Sequence, residues 1–95
     1  MHETSKSMHS KHEFAESIAI SALGFLASDT DRLEQFLTLS GLTPDQVRVA
    51  ASDPNFLAGV LQHLLSDEKL AAGFAQEAGL KAEELAAAAH LLATG

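Results

Sequence analysis

The sequence predicts an all-α fold, a compact bundle of about six helices, and three observations support this prediction. Alanine and leucine dominate the composition, only two prolines occur and Tyr and Trp are absent, a balance that favours helices over strands. Apolar residues recur at steps of three and four along most of the chain. Glycines and cap-forming residues interrupt that pattern, so each interruption marks the end of one helix and the start of the next.

Length and composition bound the architecture. At 95 residues and 46% hydrophobic, the chain has enough apolar material for one small domain with a single core. Cysteine is absent, which excludes disulfides and thiolate chemistry. No apolar run approaches the roughly 18 residues of a membrane span, and the N-terminus has no apolar signal region. We expect a cytoplasmic protein that binds no cofactor.

The charge balance restricts the partners. Six Lys and Arg stand against thirteen Asp and Glu, for a net charge of −7. An acidic chain repels phosphate backbones and anionic lipid surfaces, so nucleic acid and membrane partners are both disfavoured.

We divide the chain into a disordered N-terminal tail, residues 1–11, and a single helical domain, residues 12–93. The first helix should run from about His12 to Ala27 and lie at the centre of the bundle, because it carries two adjacent apolar stripes. These stripes are Phe14, Ile18, Ala22 and Phe25, and Ala15, Ala19, Leu23 and Leu26.

A corner is predicted between the second and third helices. Gly41 can adopt the left-handed conformation that ends a helix, after Leu33, Phe36, Leu37 and Ser40. Thr43 provides a hydroxyl cap, Pro44 suits the first helical position and Gln46 stands at the capping-box position.

The remaining helix boundaries follow the same logic. Asp53 should cap a fourth helix and Asp67 a fifth, which Gly79 ends; a sixth runs from about Ala82 to Ala93. The fourth has the most regular apolar pattern, so we expect it to be the second central helix. Its apolar residues are Phe56, Leu57, Val60, Leu61, Leu64 and Leu65.

An internal repeat of 38 residues relates the two halves of the chain. Nine identities between residues 18–51 and 56–89 fall on core, cap and turn positions, among them Gly41 with Gly79 and Phe36 with Phe74. Two three-helix halves related by an approximate twofold would explain them; accidental matches in a chain rich in Ala and Leu are the alternative. Ser21 and Gly59 are equivalent and would allow a close crossing, so Gly59→Leu should cost several kcal/mol by overpacking, at or above the roughly 1 to 3 kcal/mol typical of such changes.

The sixth helix supplies the candidate interaction surface, because its apolar residues lie on more than one side. Leu91 and Leu92, with Glu83 and Glu84 of the acidic first turn as a charged rim, would contact a protein partner or a second copy of the chain. The leading prediction is thus a non-enzymatic protein interaction or adaptor module that acts through an apolar groove or through the sixth helix. The alternative for this surface is that the exposed alanines are simply good helix formers.

A DNA-associated regulator is the second hypothesis. Leu37, Gly41 and Val47 have the spacing of a helix-turn-helix, but the third helix opens with Asp45. A basic stripe on one face would favour this hypothesis; it would comprise Arg32, Arg48, Lys69 and Lys81.

Histidines suggest a third class, a small enzyme or metal protein. His63, Ser66 and Asp67 are close in sequence, although capping accounts for Ser66 and Asp67. A weak metal site could also form at the N-terminus from His9, His12, Glu13 and Glu16, where a solvated charged helix end is the alternative. No phosphate loop or nucleophile elbow is present, so we predict no enzyme.

Several segments resemble a known family: residues 19–27, Arg32-Leu33, Ser40-Gly41-Leu42, Asp53-Pro54 and Asp67-Glu68. These residues resemble an alphaproteobacterial family of uncharacterised proteins catalogued as domain of unknown function 3572. The resemblance covers about Ala15 to Leu92 and implies a bacterial, cytoplasmic, helical protein. Its motifs are packing and capping residues, so it implies no catalytic or cofactor-binding residue.

Overall fold

The computed structural model describes the backbone of residues 2–94 and the side chains of residues 11–93. Within that range the chain forms six helices and no strand, which confirms the all-α prediction. The helices are α1 (His2–Ala27), α2 (Thr30–Ser40), α3 (Pro44–Ala50), α4 (Pro54–Leu65), α5 (Glu68–Ala78) and α6 (Ala82–Thr94).

Helix α1 begins at His2, ten residues before the predicted start near His12. Residues 2–11 of the predicted tail therefore belong to α1, and Met1 lies outside the described residues. The apolar pattern marks only the part of the helix that can be buried, and no Gly or Pro in residues 2–11 ends the helix earlier.

The corner between α2 and α3 is built by local hydrogen bonds. Gly41 has a φ of 73° and its N–H donates to the Leu37 carbonyl at 2.8 Å. The Gln46 N–H donates to Thr43 Oγ1 at 3.3 Å, and the Thr43 N–H donates to Gln46 Oε1 at 2.9 Å. With Pro44 as the first residue of α3, this corner fixes the angle between the two helices.

Aspartates cap the starts of three other helices. Asp53 accepts the Asn55 N–H at 2.9 Å and opens α4. Asp67 accepts the N–H groups of Lys69 and Leu70 at 3.0 and 3.2 Å and opens α5, as Asp29 does for α2. Each carboxylate satisfies N–H groups that the helix leaves unpaired and places a negative charge at the positive end of the helix dipole.

The core lies between α1, α4 and α6, which pack against one another, while α2 and α5 pack on the outside. Two of these three helices, α1 and α4, were predicted to be central; the central position of α6 was not. Helix α6 is buried through residues at steps of three and four: Leu85, Ala88, Ala89 and Leu92. No buried side chain among residues 11–93 is polar or charged, so apolar packing holds the bundle together.

The local structure of the two corners recurs. Gly79 has a φ of 70°, and the Lys81 N–H donates to Glu84 Oε1 at 2.8 Å, as Thr43 donates to Gln46. The third helices of the two predicted halves pack differently, because α3 buries only Val47 whereas α6 is central. The repeat and its twofold stay a prediction.

The predicted close crossing at Ser21 and Gly59 is wrong. Both residues are exposed, and no other side chain or distant backbone atom lies within 4 Å of the position that a Cβ would take at Gly59. Helices α1 and α4 instead face the core with residues such as Ala19 and Leu61. A Cβ at position 59 would meet no neighbour, so the structure does not support the overpacking expected for Gly59→Leu.

Candidate interaction surface

The structure changes the predicted surface on α6. Leu92 is only 1% exposed and belongs to the core, which corrects the expectation that it contacts a partner. Leu91 is half-buried and packs against the core. Glu83 and Glu84 are exposed, but Glu84 is engaged in capping α6 through Lys81. Of the four residues predicted for this surface, Glu83 alone is exposed and takes no part in capping the helix.

The outward side of α6 carries small residues. Ala86, Ala87 and Ala93 are exposed there, together with His90. Alanine is the best helix former and presents little apolar area, so this side is explained by helix propensity.

Large apolar side chains are exposed elsewhere in the described part of the chain. Phe14, Ile20, Leu39 and Val49 are 55%, 54%, 69% and 78% exposed. Ile20 falls outside both predicted stripes of the first helix, and Leu39 falls outside the apolar stripe of α2. For these two residues, a position outside the buried stripe was the sequence signal for exposure, and it was missed. Phe14 was predicted to lie in a buried stripe, and its 55% exposure corrects that expectation.

Leu39 forms one edge of an open groove of about 340 Å³ between α2 and α4, called here the α2–α4 groove. Its lining residues are Phe36, Leu39, Ser40, Leu42, Phe56, Gly59, Val60 and His63. The Phe36 ring meets the Phe56 ring edge to face at 6.0 Å between centroids, and meets the imidazole of His63 in the same way at 5.1 Å. The groove is thus apolar and aromatic, with an imidazole in its wall.

Gly59 forms part of the lining of the α2–α4 groove from the middle of α4. Any larger side chain at this position would project into space that is now empty. The internal packing of the bundle therefore does not require a glycine at position 59.

A second open groove, the α1–α3 groove, has a volume of about 500 Å³ and lies between α1, α2 and α3. Its lining residues are Ile20, Leu23, Gly24, Ala27, Leu33, Pro44, Val47, Arg48 and Ala51. Gly24 also has no neighbouring atom within 4 Å of a Cβ position. Arg48 lies 4.0 Å from Asp45, and both side chains are more than four-fifths exposed, so the pair contributes little stability.

The His63 hypothesis is not supported by the surroundings of the imidazole. Ser66 Oγ donates to the His63 carbonyl at 2.7 Å, and the Asp67 carboxylate caps α5. The imidazole itself faces Phe36 in an apolar groove. Neither polar neighbour in sequence is therefore positioned to share a proton with His63.

The predicted histidine cluster is brought together only in part. His12 Nδ1 lies 3.6 Å from Glu16 Oε2, one turn apart on α1, while the side chain of His9 lies outside the described residues. Across residues 11–93, no group of three or more His, Asp or Glu side chains is placed to hold a metal ion.

The basic residues of the helix-turn-helix hypothesis are dispersed. The Arg32 guanidinium lies 4.2 Å from the centroid of the Phe25 ring, a cation–π contact with α1. Arg48 lies beside Asp45, and Lys69 and Lys81 flank opposite ends of α5. The structure therefore gives no indication of the basic stripe that DNA binding requires.

The fold and the two grooves define a small all-α domain with two open, apolar grooves, each lined in part by α2. Residues 12–95 match the family described as protein of unknown function DUF3572, and the chain belongs to this family. No curated protein and no solved structure matches the chain. Among the helices of residues 2–94, none has the length and apolar character needed to cross a membrane.

Proposed function

We propose that this chain is a non-enzymatic protein interaction module that holds an apolar segment of another protein in the α2–α4 groove. The observation that carries the proposal is Gly59. A glycine inside a helix costs about 1 kcal/mol relative to alanine. Since no internal contact at Gly59 compensates for that cost, we attribute the glycine to the need for an open groove.

The exposure of Leu39 supports the same proposal. Leu39 is 69% exposed although it stands beside an aromatic groove wall. Covering apolar surface is favourable by about 25 cal/mol per Å², so a partner that covers Leu39 and fills the groove gains binding free energy from both.

The proposed partner is a protein in the cytoplasm. A net charge of −7 opposes phosphate backbones and anionic lipids, and it also opposes close association of two copies of the chain. The DNA-associated alternative relies on the corner at Gly41 alone, and Asp45 stands at the start of the helix that would enter the groove of the DNA. We therefore favour a different protein over a homodimer and over nucleic acid.

Site-specific photo-crosslinking tests this function. A photoreactive residue at Leu39 should capture a discrete partner in the cells that make the chain, and one at Ala87, on the outward side of α6, should not. The same experiment in the Gly59→Leu background should lose the product at position 39, because the added side chain fills the groove. Equal capture at positions 39 and 87, or capture that survives Gly59→Leu, would contradict the proposal.

A further inference from the structure

We propose that α3 unfolds locally as a separate unit while the rest of the bundle stays folded, and that this opening removes one wall of the α1–α3 groove. The opening goes beyond the proposed function, because it concerns the other groove and requires no partner. The packing of α3, its length and its place in the groove wall support the proposal.

The packing of α3 against the bundle is weak. Among the six helices of residues 2–94, α3 is the one without extensive contact with another helix. Val47 is its single buried side chain, at 8% exposed, whereas the neighbouring Arg48 and Val49 are exposed to solvent. A segment with so few buried apolar contacts opens at a lower free energy than the core does.

The other two outer helices have aromatic anchors, which α3 lacks. The Phe36 ring of α2 meets the Phe56 ring with 6.0 Å between centroids, and the Phe74 ring of α5 meets the Phe25 ring at 5.5 Å. Residues 44–50 include no aromatic side chain. Because an aromatic side chain buries roughly 150 to 250 Å², α2 and α5 are held more firmly than α3.

The length of α3 makes detachment and unwinding the same event. Its seven residues fall well below the roughly 12 to 15 at which an isolated helix is stable in water, so α3 depends on the docking of Val47. The capping hydrogen bonds between Thr43 and Gln46 are exposed, and water can replace them. An extended residue spans about 3.3 Å and a helical one about 1.5 Å, so the unwound segment reaches from Gly41 to Asp53 without moving α2 or α4.

The opening of α3 changes the size of the α1–α3 groove. Pro44, Val47 and Arg48 of α3 line this groove, together with Leu23 of α1 and Leu33 of α2. When α3 leaves, the half-buried Leu23 and Leu33 lose part of their cover. The fold thus contains a conformational switch between a narrow and a wide apolar site on this side of the bundle.

Native-state hydrogen exchange of the full chain tests the opening through matched amides in four helices. In each helix the N–H of the fourth residue after the cap donates to the carbonyl of the cap residue, at 2.9 to 3.0 Å: Leu33, Val47, Leu57 and Ala71. We expect the protection factor of the Val47 amide to be at least about tenfold lower than those of the other three, and to stay nearly constant in low urea, because the opening exposes little surface. A protection factor for Val47 equal to that for Leu57, or one that falls as steeply with urea, would overturn the proposal.

A pair of valine substitutions separates local opening from global unfolding. Val60 is fully buried in α4, so Val60→Ala should lower the protection of Leu57 by about tenfold or more and leave the Ala51 amide, at the end of α3, within about twofold. Val47→Ala is the matched substitution and should lower the protection of Ala51 by about tenfold, since it weakens the docking of α3.

Two results of this pair would overturn the proposal. A loss of protection at Ala51 in Val60→Ala as large as the loss at Leu57 would show that α3 opens only with the whole fold. Unchanged protection of Ala51 in Val47→Ala would show that Val47 does not hold α3. If Val60→Ala fails to fold, the urea dependence of the unmodified chain decides between local and global opening.

Discussion

The ring of Phe36 stands edge-on to the imidazole of His63, with 5.1 Å between the two centroids. This contact joins α2 to a second stripe of α4, because Phe56, Gly59, Val60 and His63 all line the groove at steps of three and four. The neighbouring stripe of α4, which includes Leu57, Leu61 and Leu64, faces the core. Helix α4 thus packs against the core with one stripe and lines the α2–α4 groove with the neighbouring stripe.

Replacement of Gly59 by alanine should stabilise the domain. The helix gains intrinsic propensity and the new methyl group meets no neighbour, so the free energy of unfolding should rise by about 0.5 to 1 kcal/mol. Thermal unfolding should show a melting temperature higher by roughly 2 to 8 °C. Gly41→Ala is the contrast, because φ at this position is 73° and alanine there should lower the melting temperature. A lower melting temperature for Gly59→Ala would show that the position is packed after all.

The cap at the start of α2 should be measurable in isolation. Asp29 accepts the N–H groups of Asp31 and Arg32 at 2.9 and 3.3 Å, and Asp29→Ala removes both acceptors at a cost of about 1 kcal/mol. Asp29→Asn keeps a side-chain oxygen and should lose much less. Urea unfolding of the two variants separates the contribution of the capping hydrogen bonds from that of the negative charge. Equal losses of unfolding free energy would mean that the capping hydrogen bonds contribute nothing to stability.

The two leucines near the end of α6 should differ sharply. Leu92 is 1% exposed, and Leu92→Ala should destabilise the chain by about 2 to 5 kcal/mol through lost burial and a cavity. Leu91 is half-buried at the edge of the core, so Leu91→Ala should lower the free energy of unfolding by less. Denaturant unfolding of both variants provides the comparison. A larger loss of unfolding free energy for Leu91→Ala than for Leu92→Ala would mean that α6 buries a different face from the one described here.

The contact of Arg32 with Phe25 should stabilise the fold, whereas the exposed pair of Arg48 with Asp45 should not. Arg32→Gln removes a cation 4.2 Å from the ring centroid and should cost about 0.5 to 1 kcal/mol. Arg48→Gln removes only an exposed pair at 4.0 Å and should leave the unfolding transition unchanged. Equal effects of the two substitutions would indicate that net charge, and not the ring contact, is responsible.

Helix boundaries were largely predictable because they depend on residues close in sequence. Gly41, Thr43 and Pro44 specify a chain reversal whatever surrounds them, since a left-handed glycine, a hydroxyl cap and an initial proline act locally. The start of α1 was misplaced because residues 2–11 carry no apolar pattern and no helix-breaking residue to decide the boundary.

The orientation of the helices was harder to predict than their boundaries. In α6 the alanines lie on every side, so the apolar content alone did not reveal that Leu85 and Leu92 share the buried stripe and that Leu91 lies beside it. The spacing of three, four and seven residues from Leu85 would have indicated the buried stripe. Gly59 was taken for a site of close crossing because a sequence does not show what stands opposite a glycine.

NMR mapping tests most directly whether the α2–α4 groove binds a partner segment. Amide shifts of the isotope-labelled chain would be followed during titration with a synthetic amphipathic peptide that carries an apolar stripe of leucine and phenylalanine. We expect the largest changes at residues lining the groove, including Leu39, Gly59 and His63, and small changes at Ala87 and Ala93 on the outward side of α6. Changes concentrated on α6, or spread evenly over the acidic surface, would contradict binding in the α2–α4 groove.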